Sequence, residues 1–463
     1  MPLHDACSKG ELERVKRIIC GDLVEVNIRD KRNGRTPLMV AAKKGRKEVV
    51  DFLMSVGASV SQADDEGNTI LDWACKGGHV DIVKRLVSEY SVDVNRKTKT
   101  GQTPLMTVAL LGHRDMFDVL VSEGADVYQV DNDDFSILHW ACRGGHVDMV
   151  KHIVAKYSAD INRKAKRGEV PLMTAAYNGH SDVVDFLVNK GADVSQLDDN
   201  DCNVLHWACR GGHVGMVKHL VSEYTVDVNG KAKMGKVPLM TAAYFGDRDV
   251  FDVLVSVGAN VSQIDDNGDS ILRWACAGGH VNMVKHLVSE YRLDVNRKGK
   301  SGKTPLIIAA QRGWRNVFKV LVSGGASVSE VDDDGDNILH YASIWGRTKM
   351  VQHIISEHLV DINGRGRYQR TPLMRAASHG RGKVFGILVK NGAVRHLVDD
   401  QGLNILHLAC LGGHVEMVKN ILSQNMVDLN ATDKDGDTAA KIAKRSGKLE
   451  VYDILVSWRR TVK

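Results

Sequence analysis

His139, Cys142 and His146 stand close together in the chain, and His206, Cys209 and His213 repeat their spacing. Imidazole and thiolate are the donors that zinc favours. A closed zinc site needs four convergent ligands, and each of these clusters offers three. Lys300-Ser301-Gly302-Lys303-Thr304 hints at a loop that cradles phosphate, but the first glycine of that motif would fall on Arg297. Pro305 then opens what reads as a helix. No nucleophile–base constellation recurs along the chain. Neither an enzyme, a metal centre nor a bound cofactor is therefore expected.

The elements that carry these residues are fixed by a period. Six of the seven prolines are Pro37, Pro104, Pro171, Pro238, Pro305 and Pro372, each 67 residues from the next. Trp73, Trp140, Trp207 and Trp274 keep the same step, as do Tyr90, Tyr157, Tyr224 and Tyr291. The unit divides into unequal halves of 33 and 34 residues, opening near Gly34 and Gly67 and at their equivalents onward. Twelve repeats fill residues 34–435, with an N-terminal capping repeat at 2–33 and a C-terminal one at 436–463. One repeat domain over 1–463 is expected.

Each repeat reads as two short helices and a hairpin. In residues 134–167, Ser136 can cap the free amides of a first helix that runs Ile137-Leu138-His139-Trp140-Ala141-Cys142. Gly144-Gly145 ends it. A second helix is predicted from Val147 to about Lys156, because Val147, Val150 and Ile153 recur at helical spacing. Asp160-Ile161-Asn162 leads into a polar tip. The shorter halves begin their first helix with Thr-Pro-Leu, as at Thr103-Pro104-Leu105, where proline's missing N–H costs nothing.

This pattern resembles the ankyrin-repeat family, whose signature is Thr-Pro-Leu-His-x-Ala at a period of about 33. The resemblance covers the whole chain and implies an all-α repeat solenoid of helix-turn-helix units joined by β-hairpin loops, about 14 repeats with the caps. It departs from the signature where Val170 and Val237 replace the capping Thr, and where Met106, Met173 and Met240 replace His. Both changes are expected to weaken individual caps. The resemblance also reassigns the zinc-like clusters. His139 and His206 occupy the signature His position and should make structural hydrogen bonds, while Cys142 and Cys209 replace a small alanine. Cys75, Cys142, Cys209, Cys276 and Cys410 share one position, so neighbours lie about 20 Å or more apart. Disulfides need Cα atoms within about 7 Å, and free thiols are expected. Asn95, Asn162, Asn229 and Asn296 match asparagines that can be hydroxylated in the family, although Asn also suits the turn backbone there.

For binding, the resemblance implies a concave face made of hairpin tips and the exposed ends of first helices. The residues just before the helix-breaking Gly should point there, and several are apolar: Leu110-Leu111, Tyr177, Tyr244-Phe245 and Ile344-Trp345. They are predicted to form a partner-binding patch. Trp140, Trp207 and Trp274, with Trp73 and Tyr341 in the same register, either line a ligand groove or interdigitate between layers, since small Thr107, Thr174 and Thr241 alternate with them. The tips alternate in sign. Acidic runs such as Asp64-Asp65-Glu66, Asp198-Asp199 and Asp265-Asp266 face basic runs such as Arg96-Lys97-Lys99 and Arg297-Lys298-Lys300. The alternation either compensates charge between neighbours or selects a partner with a matching charge period.

Bulk properties agree. Net charge is +5, from 62 basic and 57 acidic residues, too mild to argue for nucleic acid. No run of 18 apolar residues occurs, so no membrane insertion is expected. The N-terminus lacks a signal-peptide pattern, and a cytoplasmic protein is expected, with the nucleus as the other compartment. The first helix begins at Pro2-Leu3-His4 without a preceding hairpin, which fits either a complete chain or part of a longer one. The function expected is a monomeric interaction scaffold or adaptor for other proteins. The alternatives are a regulatory or substrate-targeting subunit of a phosphatase or ubiquitin-ligase complex and, more remotely, a nucleic-acid binder.

Overall fold

A computed structural model describes residues 2–21 and 25–461; Met1, Asp22 to Val24, Val462 and Lys463 of the expected domain lie outside the described residues. Twenty-eight α-helices alternate along the described chain as fourteen first-and-second pairs. Contacts group them into two compact units, Met1–Lys233 and Met234–Lys463. Within each unit, first helices stack on first helices and second helices on second helices. A lone pair could not bury its apolar face, so neighbours complete the core. Ala, Leu, Val and Ile fill most of it, with Phe117, Phe251, Phe318 and Phe385 fully buried in the second helices at multiples of the repeat.

The 134–167 repeat follows its sequence closely. Helix Ile137–Gly144 starts after Ser136, and helix Val147–Tyr157 follows. Gly145 ends the first helix at φ 76°, a left-handed conformation that glycine adopts without strain. At Gly144 a Cβ would lie 2.0 Å from the Leu110 carbonyl oxygen, so only glycine permits that approach between neighbouring first helices.

The caps differ from expectation in one respect. Thr103 Oγ1 accepts from the Met106 amide at 3.3 Å, and the Thr103 amide donates to Met106 Sδ at 3.4 Å. Thr36 with Met39 and Thr371 with Met374 repeat this box. A thioether therefore takes the acceptor role of the signature imidazole, and methionine does not by itself open the cap. Val170 and Val237 provide no side-chain cap, as their chemistry dictates.

Among the described residues the hairpins are tight turns rather than strands, with isolated antiparallel bridges at Val130–Ser136, Ile264–Ser270 and Thr432–Thr438. What holds a tip is its aspartate and its neighbour. Asp131 Oδ1 accepts from the amides of Asp133 and Phe135 at 2.9 and 3.0 Å. Successive tips are then joined through backbone, Asn132 N–H to Thr100 C=O and Lys166 N–H to Asp133 C=O, each at 3.0 Å.

Candidate functional site

Five aromatic side chains project from the first helices at the tryptophan register, and each is tied to its own tip. The indole N–H groups of Trp73, Trp140, Trp207 and Trp274 donate to Oδ2 of Asp64, Asp131, Asp198 and Asp265 at 3.1–3.2 Å. Tyr341 Oη donates to Asp332 at 2.6 Å. These five aspartates are buried. The expected acidic ridge is thus corrected: the first acid of each run points inward, because its carboxylate satisfies tip amides and an aromatic donor nine residues on. Burial outweighs those bonds at Asp131 and raises its pKa, while burial and the Asp332 carboxylate raise the Tyr341 hydroxyl. The acids that follow are exposed, and neighbouring basic tips meet some of them, as in Arg29–Asp65 at 2.8 Å and Arg367–Asp334 at 3.2 Å. Exposed pairs of this kind are worth about 0–1 kcal/mol.

In unit Met1–Lys233, Tyr177 ends its first helix with 38% of its surface exposed and meets Trp207 edge-on, centroids 6.0 Å apart at 77°. The Arg210 guanidinium lies over both rings, at 5.8 and 5.2 Å. Arg143 covers Trp140 at 5.1 Å, and Leu110 and Leu111 are half-buried beneath their Gly. Trp73, more deeply buried, sits under Lys43 and Lys76, both at 4.7 Å. In unit Met234–Lys463, Tyr244 meets Trp274 at 5.9 Å and 76° and Phe245 at 5.3 Å and 86°. Lys236 stands over Trp274 at 4.6 Å. Phe245 is 38% exposed and Trp345 46%, whereas Ile344 is half-buried.

The two sequence series therefore meet: the end of one first helix packs its ring on the tryptophan of the next. Each such pair buries one aromatic edge and leaves the rest of the ring in reach of solvent. Two features escaped sequence reasoning. One is the set of cations above the rings: the signal for Lys236 and Lys303 was the basic residue before the proline dipeptide, and that for Lys76, Arg143 and Arg210 was their place three residues after the tryptophan. The other is a row of exposed aliphatic residues just ahead of the buried tip aspartates: Leu197 in one unit, Ile264, Val331 and Val398 in the other. Their signal was the 67-residue step itself.

The histidine and asparagine positions are occupied by structure. His139 Nδ1 accepts from the Ser136 amide at 3.1 Å and sits 2.9 Å from its hydroxyl, while Nε2 donates to the Glu169 carbonyl at 3.2 Å. Burial pushes its pKa down to about 4, so the ring is neutral. Cys142 is fully buried and its thiol is pushed up, which suppresses thiolate chemistry. Among the described residues, no group of three His, Cys, Asp or Glu is placed to hold a metal ion. Asn95 donates to the Gly124 carbonyl at 2.9 Å and accepts from the Asp126 amide at 2.8 Å, bridging consecutive tips. Asn162 and Asn296 do the same.

The profile of the family "Ankyrin repeats (3 copies)" matches residues 3–98, 90–165, 157–232, 239–332, 324–399 and 373–462. The chain belongs to the ankyrin-repeat family, and its fold is that of a protein-interaction scaffold. It is 26% identical over 473 aligned residues to the human transient receptor potential cation channel subfamily A member 1, covering 98% of this chain and 42% of the channel. It is 29% identical to the ankyrin repeat and KH domain-containing protein mask-1 of Caenorhabditis elegans over 65% of this chain and 12% of that one. Human Rabankyrin-5 is 25% identical over 57% of this chain and 26% of its own length. The chain spans less than half the length of each. No described helix is long and apolar enough to cross a membrane.

Proposed function

We propose that this protein is a scaffold or adaptor that binds protein partners along the concave face formed by its first helices and tips. The observation that carries this reading is the repeated ring pair, Tyr177 on Trp207 and Tyr244 on Trp274, with a cation above each. Rings fixed by packing lose little entropy when a partner covers them, and aromatic and arginine side chains dominate binding energy at interfaces. In unit Met1–Lys233 a fitting partner segment presents apolar side chains to Leu110, Leu111 and Tyr177 and places carboxylates by Arg143 and Arg210. In unit Met234–Lys463 a fitting segment presents apolar side chains to Phe245, Ile344 and Trp345 and places a carboxylate by Lys236. Trp140, Trp207 and Trp274 act mainly as the floor, since their N–H groups are already engaged.

The test is affinity purification with the intact chain beside a Tyr177→Ala, Tyr244→Ala, Phe245→Ala variant whose helicity matches the parent. Loss of one or more partners from the variant is expected. Recovery of the same proteins in the same amounts by both overturns the assignment.

A further inference from the structure

On the second helices a charged pair recurs at the 67-residue step. Arg85 pairs with Asp51. One unit on, His152 Nε2 meets Asp118 at 2.9 Å; then His219 meets Asp185 and His286 meets Asp252, both at 2.6 Å. Each pair clips a second helix to the one before it. Tyr224 and Tyr291 add a hydroxyl donor to Asp185 and Asp252 at 2.6 and 2.9 Å.

The fifth position breaks the series. His353 keeps the basic place, but the carboxylate place carries Lys319. A cleft of about 490 Å³ opens there between helices Arg315–Ser323, Thr348–Ser356 and Gly382–Lys390. Arg315, Lys349, Lys390, Gln352 and His353 line it, and no carboxylate does. Arg315 and Lys319 from the preceding helix act on His353 through their charge, and Lys349 from its own helix and Lys390 from the next line the same cleft. The carboxylate that approaches it, Glu357, stays 3.9 Å away on the exposed rim. Burial first, then Arg315 and Lys319, lower the His353 pKa. Three cations from three helices thus line this cleft beside His353, and Lys319 stands at the place where the earlier repeats carry the clipping aspartate.

We infer that this outer cleft is an oxyanion site that takes a phosphate group in place of the missing aspartate. A dianion engages several of the cations at once, the Arg315 fork suits two phosphate oxygens, and Gln352 offers a neutral donor. His353 gains a proton on binding, because the anion replaces the carboxylate its counterparts already have. The site lies on the second helices and does not depend on the first-helix surface. The phosphate belongs either to a small free compound or to a phosphorylated side chain of a partner.

Histidine-detected NMR of the full chain tests this, comparing inorganic phosphate with chloride at equal ionic strength. Phosphate should raise the His353 titration midpoint by about one pH unit or more. Lys319→Asp should raise it in chloride alone and abolish any further response to phosphate, since it rebuilds the clip seen at His286–Asp252. Lys349→Ala with Lys390→Ala should weaken phosphate binding about tenfold. A phosphoserine peptide that binds tighter than inorganic phosphate, where its unphosphorylated twin does not bind, assigns the partner-borne source; equal affinity assigns the free compound. A midpoint that phosphate leaves unmoved, or a Lys319→Asp variant that responds as the parent does, overturns the inference.

Discussion

Asp198→Ala should loosen one repeat far more than its position on a polar tip suggests. Asp198 is buried, with Oδ1 accepting from the amides of Asn200 and Cys202 at 2.8 and 2.9 Å and Oδ2 from the Trp207 indole at 3.1 Å. Alanine leaves three donors without this acceptor. A net hydrogen bond is worth about 1 kcal/mol, and more to a charged acceptor, while water can reach the outermost tip amide. The sum is about 3 kcal/mol, and it should fall mainly on this repeat and its neighbours because coupling in a solenoid is local. Native-state hydrogen exchange of the Val204–Gly211 helix should then accelerate by roughly a hundredfold. Asp199→Ala is the control, since Asp199 is exposed on the same tip and should cost less than about 0.5 kcal/mol. If the two variants exchange alike, Asp198 is an ordinary surface charge and the account of how tips are held is wrong.

Val170→Thr should restore the missing cap, because valine and threonine share a shape and Thr103 makes that bond in the neighbouring unit; a gain of about 1 kcal/mol in urea unfolding is expected, and no gain would count against the cap geometry. His139 is held neutral, with a pKa of about 4 in the fold against about 6.5 when unfolded, so below pH 6.5 the unfolded chain takes up the proton that the folded one refuses. Stability should fall as pH drops through that window, by roughly 2 kcal/mol at pH 5, and His139→Gln should flatten the slope; an unchanged slope would remove His139 as its source. Gly211→Ala should destabilise by about 2 kcal/mol or more, since its Cβ would lie 2.0 Å from the Tyr177 carbonyl oxygen, and a neutral effect in urea unfolding would contradict that close approach.

Much of this architecture was legible because one unit repeats. Six prolines and four tryptophans at one step fixed the helix pairs, and the turn glycines fixed where first helices end. What could not be read was the direction of a polar side chain. Asp64 and Asp65 are the same residue type, side by side, yet one is buried under Trp73 and the other pairs with Arg29 at the surface. That difference arises from a donor nine residues away, brought close only by folding. Methionine at the signature His position misled for a related reason, since a thioether is seldom counted as an acceptor. The residues before the glycine do lie at the ends of their first helices. Arg143 and Arg210 follow their tryptophans by three residues in the same helix, whereas Lys236 and Lys303 come from the preceding repeat, and only stacking brings them over the next ring.

The central claim is that partners lie on the first-helix face. A photo-crosslinking residue placed at Tyr177 or Tyr244, compared with Lys151 and Arg248 on the second helices, tests it directly. Crosslinks to a bound protein from the first two positions and none from the last two are predicted. Crosslinks from Lys151 or Arg248 alone would contradict the account.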